Sequence, residues 1–220
     1  MNIVADLRTQ GIILDLDGTI VDSRNAYLEA AKTAFRALGK EPPALEVLLE
    51  IPRRLELKQP IISVVGFDSR SFLDLYLKTF YAMTKERTKL ITNIPVTLEK
   101  LSGKVKLAMV TMRYVPRQII LEELEYFGIA QYFLHVVTAL DTLEPKPSPE
   151  ALIKTSHAID VPIQNCVIVG DSLCDIRAGK AAGAKTVAVL SGLFSCEELA
   201  RENPDFILKD VAAMQNFVGK

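Results

Sequence analysis

Residues Gly11 to Ser23 read Gly-Ile-Ile-Leu-Asp-Leu-Asp-Gly-Thr-Ile-Val-Asp-Ser. The apolar run from Ile12 to Leu14 predicts a short buried strand. It ends in two carboxylates, Asp15 and Asp17, with one residue between them. A carboxylate buried alone is costly, so a strand does not end this way for stability. A bound cation is the expected remedy. The expected reason is chemistry at the carboxyl end of a parallel strand, where open α/β folds keep their sites. A turn cap accounts for either acid alone. It does not account for both, followed by Gly18-Thr19 and answered by further polar signals downstream.

Those signals fall at the ends of later strands. Val105 to Val110 reads as a strand ending at Thr111, followed by a helix from Pro116 to Phe127 with proline in its first turn and Gly128 past its end. A strand over about Leu134 to Thr138 leads to a loop, Asp141 to Ser148, that carries Lys146. Cys166 to Val169 reads as a strand ending in Gly170-Asp171, with Asp175 shortly after and a short helix over Ile176 to Ala182. Lys185 to Leu190 predicts another strand, Ser195 with Glu198 a capping box, and Asp205 to Leu208 an edge strand before a last helix. Alternating helices and near-continuous apolar strands predict a parallel sheet covered on both faces, an α/β architecture. All strand ends then lie on one edge, so acids, threonine and lysine far apart in sequence meet in one crevice.

Between the first two core strands the chain runs far longer than one crossover needs. A helix from about Ser23 to Leu38 and another from about Ser69 to Lys85 stand out by periodicity. Pro42-Pro43 leads a short helical stretch to about Glu50, and Ile51 to Gly66 reads as less regular, with no good strand in the segment. Residues 22–92 are therefore expected to form an inserted helical domain, and residues 1–21 and 93–220 the core. The insert is expected to act as a lid over the strand ends, with Arg53, Arg54 and Lys58 facing an anionic substrate, and Arg24 and Arg113 as further specificity candidates.

The 220 residues are 49% hydrophobic and carry a formal net charge of −1 with no basic block. No nucleic-acid or membrane partner is expected. Met1 to Gln10 lacks the apolar stretch of a signal peptide. Three cysteines, Cys166, Cys174 and Cys196, without metal-type spacing suit a reducing compartment, so a cytoplasmic protein, monomer or homodimer, is expected. His135 and His157 are read as a packed residue and a helix-surface residue.

The residue types suit phosphoryl transfer. Asp15, Asp171 and a backbone carbonyl make an oxygen-rich set of the kind Mg²⁺ takes. Thr111 offers a hydroxyl, and Lys146 a compact positive charge for a phosphate and the acids around it. One carboxylate can attack phosphorus while a second exchanges protons with the leaving oxygen and with water. Gly18 supplies the unusual backbone angles that a chain turning sharply from the site needs.

Asp15-Leu-Asp17-Gly-Thr-Ile-Val-Asp-Ser, Val110-Thr111, Lys146-Pro-Ser-Pro and Gly170-Asp171-Ser-Leu-Cys-Asp175 resemble the four motifs of the haloacid dehalogenase-like hydrolase superfamily, and the match spans essentially the whole chain. The resemblance implies a Rossmann-like core with central strand order 5-4-1-2-3 and dependence on Mg²⁺. It implies Asp15 as nucleophile and Asp17 as general acid/base. Thr111, Met112 and Lys146 would bind phosphate. Asp15, Asp171 and the backbone carbonyl of Asp17 would hold the metal, with Asp175 behind them. The helical insert resembles the cap of the phosphoglycolate phosphatase-like branch. An acid at Asp17 distinguishes the chain from the dehalogenase and phosphonate-cleaving members. A phosphatase acting on a small phosphorylated metabolite, phosphoglycolate-like or a sugar phosphate, is expected. A phosphomutase of the β-phosphoglucomutase type shares every core residue. A phospho-accepting signalling receiver is disfavoured by the insert and by an acceptor on the first strand.

Overall fold

The computed structural model describes residues 9–218. The expectation for the N-terminal stretch falls mostly on residues 1–8, outside the described residues. Strand β1, Gly11–Leu14, is wholly buried. Beyond it the chain turns on one acceptor, since the N–H groups of Thr19, Ile20 and Val21 all donate to the Leu16 carbonyl. Gly18 has φ +80° within this turn, a conformation that costs a side-chain-bearing residue energy. Strand β2, Val21–Asp22, then leads away.

Asp22–Lys89 cluster into one compact unit, and the described residues on either side of it into another. The first is helical: α1 Arg24–Ala37, α2 Leu45–Glu56, α3 Ile62–Val65 and α4 Ser69–Arg87. Ala26, Ala30 and Ala34 line the buried face of α1, and such small side chains let a neighbouring helix approach closely. Phe72, Tyr76 and Phe80 succeed one another at i,i+4 spacing on α4, with ring centroids 6.0 and 6.4 Å apart. Asp68 caps α4 by accepting from the N–H groups of Arg70 and Ser71.

The segment predicted as less regular is more helical than its sequence suggests. Helix α2 continues past Glu50 to Glu56 with Pro52 inside it. Proline removes one intrahelical hydrogen bond, but Leu48, Ile51 and Pro52 are buried and hold the helix together across it. The expectation of no strand also needs correction. Strand β3, Lys89–Leu90, pairs with β2 in a two-stranded sheet at the boundaries between the units.

The second unit continues as α5 Ile94–Ser102, β4 Lys106–Val110, α6 Arg117–Tyr126, β5 His135–Val137, α7 Glu150–Ala158, β6 Cys166–Gly170, α8 Leu173–Ala182, β7 Lys185–Val189, α9 Cys196–Arg201 and β8 Phe206–Leu208. Six strands form one parallel sheet in the order β5-β4-β1-β6-β7-β8. From the β7 side this is the order 5-4-1-2-3 that the resemblance implies, extended by β8 at the edge. From β1 the chain winds one way to β4 and β5, then returns to β6 on the other side of β1. The switch point therefore lies beside the end of β1, where such sheets bind ligands. Leu14 is in register with both Met109 and Val169, so Asp15, Thr111 and Asp171 emerge on one edge.

Two boundaries differ from the predicted ones. Helix α8 begins at Leu173, three residues earlier than periodicity suggests, because Ser172 and Asp175 cap it reciprocally. The last helix is a 3₁₀ segment, Val211–Asn216. His135 is half-buried and His157 exposed. Among the described residues no helix is long and apolar enough to cross a membrane.

Candidate active site

Lys146 is the hub of the strand-edge cluster. Its side chain is buried, and its ammonium donates to Asp15 Oδ1 at 2.6 Å, Asp175 Oδ1 at 2.5 Å and the Val110 carbonyl at 3.2 Å. All three of its donors are thereby used. The other oxygen of Asp175 accepts from the N–H and the hydroxyl of Ser172 at 3.2 and 2.8 Å. The start of α8 thus fixes this acid before Lys146 meets it. Gly170 is required for the same contact, since a Cβ there would sit 2.1 Å from the Asp175 carboxyl carbon.

Asp171 is held from two sides. Its Oδ1 accepts from the Thr19 hydroxyl at 3.1 Å. A Cβ on Gly18 would lie 2.4 Å from its Oδ2, and one on Gly192 only 1.6 Å from the same oxygen. Gly192 belongs to the loop after β7, which is tied down by the Ser191 hydroxyl donating to the Gly18 carbonyl at 2.7 Å. Ser191 and Gly192 were not singled out from sequence. The available signal was a Ser-Gly pair immediately beyond a predicted core strand, the position of the other site residues.

Asp15, Asp171 and Asp175 each offer a carboxylate oxygen within 4.8 Å of the others, and all three are buried. Among the described residues the cluster sets the Lys146 ammonium against three acids, an excess of negative charge. Burial pushes the Asp15 carboxyl up to about 7, with the charges of Asp175 and Asp17 adding to the rise and Lys146 opposing it. A divalent cation would supply the missing charge, and an all-oxygen set suits Mg²⁺. The residues therefore fit the metal that the motifs imply.

Thr111 is buried, and its Oγ1 accepts from the N–H of Arg113 at 3.2 Å. Met112 lies half-buried beside it. Asp17 is partly exposed and paired with Arg113, whose guanidinium also binds Glu123. Glu123 escaped sequence reading although it falls on the buried stripe of α6 with Ile120 and Leu124, where an acid needs a partner.

The remaining candidates lie in the helical unit. Arg53 Nε is 2.9 Å from Glu50 Oε1. The Arg54 guanidinium donates to the Pro60 carbonyl at 3.2 Å and the Ser63 hydroxyl at 3.0 Å. Lys58 is exposed, and Arg24 pairs with Asp22 at 3.5 Å.

Parallel-sheet order, buried acid cluster and sequence converge on one class. The sequence matches the haloacid dehalogenase-like hydrolases over residues 12–189, and the chain belongs to that family, in its phosphoglycolate phosphatase-like branch. It is 31% identical to a phosphoglycolate phosphatase of Vibrio parahaemolyticus over 218 residues, covering 94% of this chain and 95% of that one. A chain from Caldanaerobacter subterraneus with the provisional name pyrophosphatase PpaX is 28% identical, with 93% and 92% covered. A haloacid dehalogenase-like hydrolase from Streptococcus pneumoniae superposes with a TM-score of 0.80 at 19% identity, covering 94% and 97%, a likeness of fold alone.

Proposed function

We propose that the chain is an Mg²⁺-dependent phosphatase, acting on a small phosphorylated metabolite such as phosphoglycolate or a sugar phosphate, through a phosphoryl group carried on Asp15. The observation that carries this reading is the buried Asp15–Lys146–Asp175 cluster, with Asp171 beside it, at the carboxyl edge of the sheet. Mg²⁺, when bound by Asp15, Asp171 and the Asp17 backbone carbonyl, would draw charge from the phosphoryl oxygens.

The chain's own groups do the rest. A carboxylate oxygen of Asp15 attacks phosphorus as the ester P–O bond breaks, and Asp17 gives its proton to the departing oxygen. Water then attacks phosphorus, Asp17 takes its proton, and the bond to Asp15 breaks to release phosphate. The Thr111 hydroxyl and the loop at Met112 take phosphoryl oxygens, and Lys146 trades one of its present acceptors for another of them. The helical unit is assigned substrate selection, with Arg53, Arg54, Lys58 and Arg24 as the cations to test. A cytoplasmic location fits three free cysteines.

The test is a panel of phosphorylated metabolites, inorganic pyrophosphate included, assayed for phosphate release with Mg²⁺ and with a chelator. Mg²⁺-dependent release from one or a few esters is expected. An isomerised product without net release would favour the phosphomutase reading, and no turnover of any kind would overturn both.

Two variants probe the roles. Asp17→Asn is expected to slow phenyl phosphate more than p-nitrophenyl phosphate, because only the poorer leaving group needs the proton. Equal losses would argue that Asp17 is structural. Gly192→Ala is expected to weaken Mg²⁺ binding by about 10–100-fold, the usual effect of disturbing a group behind a metal ligand, because its Cβ must displace Asp171. Titration calorimetry reads this directly, and unchanged affinity would contradict the assigned ligand.

A further inference from the structure

Arg113 follows Thr111 in the loop after β4, where sequence reading made it a candidate for substrate contact. Its side chain is only 3% exposed and points elsewhere. Nε donates to Asp17 Oδ2 and Nη2 to Asp17 Oδ1, each at 2.7 Å, a side-on fork on both carboxylate oxygens. Nη1 donates to Glu123 Oε2 at 2.5 Å, and Glu123 is fully buried. The backbone is tied as well: its N–H donates to Thr111 Oγ1, and its carbonyl accepts from the N–H of Ala139 at 3.1 Å.

Buried ion pairs are weak contributors to stability, since desolvation offsets most of the attraction. Three charges in a row, two of them acidic, need another reason to be kept. A guanidinium fork fixes both the plane and the rotation of the carboxylate it grips, which a lysine cannot do. The fork takes one of the two lone pairs on each carboxylate oxygen. Proton transfer needs heavy atoms within hydrogen-bond reach, and a misplacement of about 1 Å costs on the order of 100-fold.

We propose that Arg113, braced by Glu123, is a positioning residue that holds the Asp17 carboxylate in the orientation its proton transfers require. The proposal rests on the reading of Asp17 as general acid/base. Arg113 also sets the acceptor side of the Thr111 hydroxyl, so one residue aligns a proton-transfer group with a phosphate-binding one.

The test is a double-mutant cycle on kcat with phenyl phosphate and p-nitrophenyl phosphate. Arg113→Met is expected to lower kcat on phenyl phosphate by about 10–100-fold, with KM within about twofold and a smaller loss on p-nitrophenyl phosphate. Arg113→Lys is expected to recover part of the loss. Asp17→Asn/Arg113→Met is expected to be no slower than Asp17→Asn, because Arg113 acts through Asp17. Losses that multiply, a raised KM at unchanged kcat, or equal losses on both substrates would each overturn the proposal. Arg113→Met leaves Glu123 buried without its partner, so Arg113→Met/Glu123→Leu, which removes both charges, carries the same cycle if the single variant misfolds. Arg113→Lys keeps the charge and carries it in either case. A wild-type protein that releases phosphate from no ester would overturn the parent reading as well, whereas multiplying losses in an active enzyme overturn this proposal alone.

Discussion

Asp15→Asn is expected to lower turnover by roughly 10⁴-fold or more and to raise the melting temperature of the metal-free protein. The first effect follows from chemistry, since a neutral amide is a poor nucleophile. The second follows from charge. Burial pushes the Asp15 carboxyl from its ordinary 3.8 up to about 7, so the folded chain holds a proton there that the unfolded chain gives up. A raised carboxyl favours the fold below the unfolded value and loses that advantage as pH rises toward the folded one. Asn keeps an acceptor for Lys146 and pays no such penalty, while Lys146 retains Asp175. In chelator, the melting-temperature advantage of Asp15→Asn is therefore expected to grow from about pH 4 to about pH 7 and to level off above. Mg²⁺ is expected to shrink it, because Asp15→Asn leaves the cation one acidic ligand fewer than the wild type offers. A variant no more stable than wild type at pH 8 in chelator would contradict the charge excess read from the cluster.

Lys146→Met is expected to act in the opposite direction on stability. It removes the ammonium that bridges Asp15 and Asp175 and leaves these two acids without their shared donor. Breaking a buried pair from one side costs about 3–5 kcal/mol, which for a chain of this size is a fall of roughly 6–20 °C in melting temperature. Turnover is expected to fall by roughly 100–1,000-fold with the loss of a preorganised charge at the phosphoryl group. Lys146→Met/Asp15→Asn should regain part of the stability and none of the activity, which separates the two effects. Calorimetry and a phosphate-release assay read both, and a melting temperature unchanged in Lys146→Met would contradict the role given to the lysine as the cluster's counter-charge.

Much of this cluster was legible in the chain because it sits where regular structure ends. Asp15, Thr111 and Asp171 close apolar strands, and parallel pairing alone brings strand ends to one edge. What escaped depends on contacts that periodicity does not encode. Gly192 approaches Asp171 only after β7 has joined the sheet, and Glu123 meets Arg113 only when α6 packs over the loop from Thr111. Arg113 was a further specificity candidate, and the anion it binds in the structure is Asp17. The early start of α8 was written in Ser172 and Asp175, which cap it reciprocally, while the apolar pattern begins only at Ile176. In the helical unit, Pro52 interrupted the pattern without interrupting the helix, because buried neighbours outweighed one lost hydrogen bond.

The central claim is that phosphoryl transfer passes through Asp15. Rapid acid quench of the enzyme during turnover of a labelled phosphate ester, followed by proteolysis and fragment mass spectrometry, tests it most directly. The account predicts a hydroxylamine-sensitive phosphoryl group on Asp15 that vanishes in Asp15→Asn. Steady turnover without any such adduct, or an adduct on Asp17 or another residue, would contradict it.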